Sequence, residues 1–501
     1  MKASPGAAWH GAFGAGKSVM GSLLVSLQIA LLAFWINGCG GNTTPQPPPP
    51  VTGATVAVYV TTGDQSKLLH HEADVQFSTA SASGTVIKFD DTTRYQVMDG
   101  FGASMTDSSA TVITQNLSSA QRSQLMSDLF DPSSGIGLSF LRQPMGASDF
   151  SASGNYTYDD MPAGQSDPTL AHFSIAHDTA AIIPLLTQAI SLNPNLKVVA
   201  VPWSPPAWMK SSGSMNGGSV DPANFGSLAQ SFVKFTQAYQ AQGVPIYAIL
   251  PQNEPLFATS SYPSTAMSAA DQANFIGNFL GPTMTSAGLS QVKVIAYDHN
   301  WDHPEYPQTV LGDAKASGYV AGAAFHCYAG DPGGQMTFHN AYPAKDIWFT
   351  ECSGTVGSSF AGDLKWNADK LLIGAVRNYA RSVSLWNLVL DQNSGPKNGG
   401  CSNCRALVTV DNSVSPSKVA YNVEYYVLAH LAKFVKPGAY RVESTSIPSG
   451  IETVGFLNSD GSKALLALND GTGSVTFTVQ QGTQRFNYTL PAGALATFSW
   501  K

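Results

Sequence analysis

The most chemically loaded stretches of this sequence are those where an apolar run stops on a carboxylate or an imidazole. "ILPQNEPLF" (249–257) sets Asn253 and Glu254 directly after a run that a fold would bury, and "DIWFTE" (346–351) ends in the same way on Glu351. Further apolar runs lead to Asp149, to Trp203, to Asp298 with His299, to His326 with Tyr328, and to Trp386 with Asn387. Two glutamates, fixed polar groups and tryptophans are what a sugar demands: aromatic faces for its C–H patches, donors and acceptors for its hydroxyls, and a carboxyl pair astride the bond to be cut. A glycosidic oxygen leaves poorly unless it is protonated, and an oxocarbenium-like transition state needs an anion beneath it. One of Glu254 and Glu351 must therefore be a neutral acid while the other stays ionised. A gap of about 5–5.5 Å between them would specify retention of the anomeric configuration.

For these residues to meet, the runs must be strands that end on one face. Eight runs, "GFGASMT", "GLSFLRQPM", "KVVAVPW", "IYAILPQNE", "VKVIAYD", "AGAAFHCY", "DIWFTE" and "VSLWNLVL", alternate with amphipathic stretches at 118–130, 178–191, 222–242, 268–287 and 362–380. That alternation predicts an α/β fold, a (β/α)8 TIM barrel with its active site at the C-terminal ends of the strands. A doubly wound sheet usually has fewer strands and a Gly-rich phosphate turn after the first. "GFGASM" is no such turn, because the third glycine position is Met105.

Strand-like alternation also fills 56–98, and it returns toward the C-terminus, where "NSDGS" and "NDGTG" read as hairpin turns. All-β segments at both ends predict a side β-sandwich built from N- and C-terminal strands. The expected organisation is a signal segment at 1–39, a Pro-rich linker at 40–55, side-domain strands at 56–98, the barrel at 99–433 and the rest of the sandwich at 434–501.

The chain has 501 residues, of which 12% are charged, with a net charge of -7. This is about half the usual ~25% charged content and leaves no basic stripe, so nucleic acid is not an expected partner. Lys2 and Lys17 precede an apolar run that ends in "INGC" at Cys39, the pattern of an export signal. That ending resembles a bacterial lipobox, with Cys39 as the lipidated residue; an uncleaved membrane anchor and plain secretion are the alternatives. All three place the catalytic part outside the cytoplasm, and membrane contact is expected only through this N-terminal lipid or anchor. The Pro-rich "TTPQPPPP" that follows reads as a stiff tether.

Among the other cysteines, Cys401 and Cys404 lie in "GGCSNCRAL" and read as a loop-pinning disulfide rather than a zinc knuckle, which needs a second such pair. Cys327 and Cys352 sit in apolar runs and read as buried thiols. His299, Asp302 and His303 are of metal-ligand type, but Pro304 breaks the helical spacing that two histidine ligands would need. Neither a metal nor another cofactor is expected, since paired carboxylates cleave glycosides without one.

The ordered set "DGFGASMTDSSA", "LRQPMGASDFSASGNYTYDD", "VPWSPPAWMKSSGSMNGG", "QNEP", "FHCY", "FTECSG" and "SLWNLVLDQNSGPKNGG" resembles glycoside hydrolase family 30, the glucosylceramidase-like retaining family. The match runs from about Gly100 to the C-terminus. It implies that Glu254 is the acid/base, Glu351 the nucleophile and Asn253 a partner of the sugar 2-hydroxyl. It also implies that Asp149, Trp203, His326, Tyr328 and Trp386 line the first sugar subsite, with Arg142 near the nucleophile, where a cation would keep that carboxylate ionised.

Each residue also has a plainer reading. Glu254 could start a helix before Pro255, Glu351 could cap a turn, Asp149 could be a turn residue, and His326 and Trp386 could be core packing. The stretch "LDQNSGPKNGGCSNCRALVTVD" resembles bacterial members active on β-1,6-glucans or short β-glucosides. The expected substrate is therefore β-1,6-glucan or gentio-oligosaccharides, then a glucosylceramide-type β-glucoside or a β-xyloside. A surface lipoprotein that binds glycan without cleaving it is the reading from another class; a binder has no need of two opposed glutamates.

Overall fold

The computed structural model describes residues 53–79 and 81–501; the signal segment, Cys39 and residues 40–52 of the expected linker lie outside them, while its last residue, Thr55, already opens a side-domain strand. Eight parallel strands close into a barrel: Gly100–Ser104, Phe140–Pro144, Lys197–Val201, Ile246–Ile249, Lys293–Asn300, Val320–His326, Asp346–Glu351 and Ala380–Asn387. All eight overlap the runs read as strands, and the last closes on the first through Ser382 beside Gly100. Gly102 in "GFGASM" serves the close approach of the second strand rather than a phosphate, because a Cβ there would stand 1.6 Å from the Phe140 carbonyl oxygen.

The period-2 pleat carries each strand from packed interior to polar rim. Phe140, Val199, Val201, Ala248, Ile295, Ala324 and Trp348 fill the barrel. Two residues beyond Phe140 stands Arg142, two beyond Val201 stands Trp203, and two beyond Ala324 stands His326.

Outside the barrel, the helix Phe225–Ala241 buries Phe225, Leu228, Phe232, Phe235 and Tyr239, the i, i+3, i+4 spacing that places them on one face. Asp221 caps the short turn before it, with Pro222 in its first position. The helix expected from 178 begins instead at Ile182. Asp178 is committed elsewhere: its carboxylate accepts from the hydroxyls of Tyr158 and Tyr239 and bonds His177. The stretch expected at 362–380 is an α-helix, Phe360–Asn367, that widens into a π-helical segment, Ala368–Ala375, before the last barrel strand.

The side domain is a ten-stranded sheet in which the two ends of the chain interleave. Thr55–Thr61 pairs with Leu495–Trp500, and the long Thr85–Val97 pairs with Val475–Gln481 near its start and Tyr440–Ser444 near its end. Val58, Ile87, Phe89, Leu465, Phe477 and Phe498 are among the side chains of its core. One hairpin expectation is corrected. "NSDGS" does join the paired strands Ile451–Leu457 and Lys463–Asn469, but "NDGTG" links Lys463–Asn469 to Val475–Gln481, which do not pair. The buried Asn469 side chain explains the detour: it donates to the Gly473, Leu490 and Pro491 carbonyls and accepts from the Gly471 N–H, so the loop crosses between strands instead of folding back.

Barrel and side domain meet over the helix Val423–Ala432. Its buried His430 bonds Thr61 and Thr497, one from each end of the chain. Burial pushes this imidazole down to about 3, so it stays neutral there.

Candidate active site

At the C-terminal mouth of the barrel lies a cavity of about 450 Å³ lined by Asp149, Trp203, Asn253, Glu254, Tyr328, Glu351 and Trp386 from the expected set. The same cavity is bordered by Phe257, Tyr262, His299 and Asn300, and by Cys401 and Cys404. His326 and Arg142 stand behind its wall, each fully buried. A carboxylate oxygen of Glu254, one of Glu351 and a ring nitrogen of His326 all lie within 4.8 Å of one another. This is the short separation that leaves no room for a water between two working carboxylates.

Glu254 is held by backbone rather than by side-chain packing alone. Asn253 donates its N–H to the Pro202 carbonyl, and Glu254 donates its own to the Asp298 carbonyl, so the strand end is stitched to both neighbours. Glu254, Tyr297 and Asp298 have φ of 44°, 76° and 73°, in the left-handed region that bulky residues rarely adopt. Such strain persists where the surroundings over-determine it, as at a site whose side chains must be aimed.

Arg142 organises the other side. Its guanidinium donates to Glu351 Oε2, Asn253 Oδ1 and Asp298 Oδ2, each at 2.6 Å. It also stands 4.8 Å from the Trp203 ring and 5.5 Å from the Trp386 ring. The two tryptophans stack on each other at 4.9 Å and are each only 3% exposed. They give the cavity a small part of their surface and spend the rest on Arg142 and on each other. Since Arg142 occupies the Asn253 oxygen, the Asn253 amide nitrogen is the group left to donate to a ligand.

Asp298, counted among the strand-end residues but not among the expected site residues, proves to be the hub. One oxygen takes Arg142, and the other takes His326 Nε2 at 3.0 Å and the Thr350 hydroxyl at 2.6 Å. His326 turns its second nitrogen, Nδ1, to Glu254 at 3.1 Å. Burial works against a charge on His326, yet the Asp298 and Glu351 carboxylates outweigh it and raise its pKa to about 9. With a proton on each nitrogen, His326 donates to both Asp298 and Glu254, and the group Glu254, His326 and Glu351 also has metal-ligand types and spacing.

The charges of the site determine how its protons are shared. Burial would raise Asp298, but Arg142 and His326 hold it well below the usual carboxylate range. Asp149 is pushed well above that range by burial and by the Glu351 and Glu254 charges, so it stays neutral and can donate. Two buried cations, Arg142 and His326, then balance Asp298 and one glutamate, and the two glutamates share a single proton. In the free enzyme burial and the Glu254 charge raise Glu351, while the His326 hydrogen bond outweighs burial at Glu254 and lowers it. Burial pushes His299, whose Nε2 lies 3.9 Å from Glu254, down to about 4, so it is neutral.

Because the folded-state pKa of His326 lies above the ordinary 6.5, folding takes up its proton. Its contribution to stability is fully present below pH 6.5 and is lost as the pH rises through about 9. Thermal denaturation across this range should show the parent's advantage over His326→Gln shrinking on the alkaline side. An advantage constant with pH would mean that folding does not raise the pKa of His326.

Tyr328 is 47% exposed, but its hydroxyl reaches inward and donates to Glu351 Oε1 at 2.8 Å. Burial of that hydroxyl and the Glu351 charge raise its pKa well above the usual value, so it remains a donor. The loop after the eighth strand closes the cavity beside Asp149. Asn398 donates its N–H to the Asp149 carbonyl, and Gly400 lies so close that a Cβ would stand 2.5 Å from Asp149 Oδ2. Cys401 pairs with Cys404 in this loop. Cys327 and Cys352 are not buried thiols, as their apolar runs suggested, but a second disulfide. They follow His326 and Glu351 on adjacent strands, and the parallel pairing of those strands makes them neighbours. Sequence reading also missed Phe257 and Tyr262, aromatics at the cavity edge, of which Phe257 is 43% exposed; the available signal was an aromatic in "NEPLF", three residues after Glu254.

A parallel barrel with two glutamates this close at its mouth, one bound by an arginine and a tyrosine, is the site of a glycoside hydrolase. The chain belongs to glycosyl hydrolase family 30: the family's TIM-barrel domain matches residues 98–435, and its beta sandwich domain matches residues 438–498. It is 37% identical to the endo-1,6-beta-D-glucanase of Neurospora crassa over 84% of this chain and 90% of that one. It is 28% identical to the lysosomal acid glucosylceramidase of Mus musculus over 84% of each. Among solved structures, the endo-beta1,6-glucanase BT3312 superposes with a TM-score of 0.82 at 34% identity, covering 89% of this chain and 99% of that one.

Proposed function

We propose that this enzyme hydrolyses β-1,6-glucan and gentio-oligosaccharides by double displacement, with Glu351 as nucleophile and Glu254 as acid/base. The observation that carries the mechanism is the 4.8 Å cluster of Glu254, Glu351 and His326, with Arg142 and Tyr328 donating to Glu351. Glu351 attacks the anomeric carbon as Glu254 gives its proton to the leaving oxygen, forming a glycosyl ester. Glu254, now a carboxylate, then takes a proton from the water that attacks the same carbon, and Glu351 leaves with the configuration retained.

The single proton of the pair is needed on Glu254. A sugar over the cavity removes water from Glu254, while Arg142 and Tyr328 keep two direct hydrogen bonds on the Glu351 anion. Asp149, Asn253 and Trp386 meet the hydroxyls and C–H faces of the first sugar, with Trp203 and His326 fixing that wall.

Support for the linkage comes from the named activities of the Neurospora crassa and BT3312 relatives. The disulfide-pinned loop over Asp149 gives the cavity a fixed wall on that side. Parallel assays on gentiobiose, on pustulan, on a glucosylceramide and on glucuronoxylan test the reading. Turnover is expected on the first two, whereas hydrolysis confined to glucosylceramide or to xylan would overturn the linkage.

The enzyme acts outside the cytoplasm, with segment 1–39 as a lipoprotein signal, Cys39 as the acylated residue and 40–55 as a tether. Metabolic labelling with a radioactive fatty acid should mark the parent and not Cys39→Ala. The chain divides into side-domain strands at 56–98, a catalytic barrel at 99–433 and the remaining sandwich at 434–501.

A further inference from the structure

The Cys327–Cys352 disulfide joins the two strand ends that carry the catalytic groups, and we propose that it is a positioning element for the nucleophile, a covalent rung that holds the Tyr328 hydroxyl on Glu351. The inference rests on the reading of Glu351 as nucleophile and goes beyond it. The sixth and seventh barrel strands run in register through Ala324 beside Trp348 and Phe325 beside Phe349. The register then slips, and His326 beside Glu351 is the last pair. A slip of this kind leaves one residue unpaired and loosens the ladder. It falls at the barrel lip, where Glu351 and Tyr328 must be fixed most closely.

The next residue on each strand is a cysteine, and their Cα atoms stand 5.3 Å apart, about the spacing of adjacent strands. The disulfide thus continues the ladder one step past the point where its pairing ends. Tyr328 is the residue immediately beyond this rung. It makes a backbone hydrogen bond to Asn300 Oδ1 and the hydroxyl bond to Glu351, and its ring is half exposed. On the other strand, the Cys352 carbonyl accepts from the Trp386 N–H, so the strap also reaches the eighth strand. The bond spans 25 residues of sequence, and the helix Gly333–Ala341 lies between its two ends. Without it, the two strand ends are joined by that excursion, by the slipped ladder and by side-chain bonds that stop at His326 and Thr350, one residue short of Glu351 and two short of Tyr328.

A double-mutant cycle tests the idea. Cys327→Ala/Cys352→Ala is expected to lower kcat on the order of tenfold to a hundredfold with little change in KM, the signature of a misplaced catalytic group. Tyr328→Phe should lower kcat by a similar factor, and the triple variant should be no worse than Tyr328→Phe alone. Multiplying losses would overturn the proposal, because the bond would then act elsewhere. An unchanged kcat with only a lower Tm would also overturn it, leaving the disulfide a stabiliser.

If the cysteine variant does not fold, the folded enzyme carrying Cys401→Ser/Cys404→Ser is reduced with a trialkylphosphine. A loss of kcat that reverses on reoxidation, and disappears when Tyr328→Phe is added, supports the strap; an undiminished kcat excludes it. Turnover retained by Glu351→Gln would instead sink the nucleophile reading. An inactive Glu351→Gln with multiplying losses in the cycle would sink the strap alone.

Discussion

Glu351→Gln should lose turnover of β-glucosides by on the order of 10⁴-fold or more, about 5 kcal/mol of transition-state stabilisation, while still binding sugar. The substitution keeps the shape of the side chain and removes the charge that attacks. Arg142 would then meet an amide where it now donates to a carboxylate at 2.6 Å, and Glu254 would be left as the ionised glutamate of the site, unable to serve as its acid. Titration calorimetry with a gluco-configured ligand, set beside kcat, separates the two effects. Unchanged turnover would remove Glu351 from the mechanism, and joint loss of binding and structure would point to a supporting role instead.

Glu254→Gln should fail differently, and the difference identifies the roles. Without an acid, cleavage of a glucan stops because its leaving oxygen needs a proton, whereas an aryl β-glucoside with a good leaving group still forms the glycosyl-enzyme. That intermediate should accumulate, because the base for the second step is missing as well. Azide needs no base, so it should restore turnover of the aryl glucoside and give the β-glucosyl azide, of retained configuration. If the two glutamates worked in exchanged roles, azide would rescue the Glu351→Gly variant in this way. With the roles as assigned, azide added to Glu351→Gly gives the inverted α-glucosyl azide.

The hydrogen bonds of the site bear on why two such similar carboxylates diverge. Glu351 accepts from a guanidinium and a phenol, Glu254 from an imidazolium that is itself shared with Asp298. The Arg142 donor on Glu351 cannot move away without breaking the Arg142–Asp298 pair, whose side chains are both fully buried. The donor on Glu254 titrates near 9, and it is the adjustable member of the set.

How far the site could be read in advance varied with how local its signals were. Glu254, Glu351, His326 and Trp386 each end an apolar run, so period-2 patterning alone put them at strand ends. Arg142 lies inside its run and was named only through the family resemblance; its three acceptors lie 209, 111 and 156 residues away. Asp298 also ends a run, but a carboxylate at a strand end does not announce that it will bind an arginine, a histidine and a threonine together. Trp203 and Trp386 were legible as aromatics of the rim. That they pack on Arg142 and expose little of themselves depends on strands three, two and eight converging.

The pattern of apolar runs and helical stretches was enough to determine the barrel, the side sandwich and the two glutamates, because strand and helix periods are properties of neighbouring residues and each strand end marks the catalytic face. Partnerships between distant residues were decided only in the tertiary structure. Cys327 and Cys352 become a rung instead of two thiols, "NDGTG" crosses between strands instead of turning a hairpin, and Glu254 and Glu351 come within 4.8 Å. The first and last depend on the register of a ring of eight strands and the second on strand order in the side sheet, each set by packing summed over a whole domain and written in no single segment of the chain.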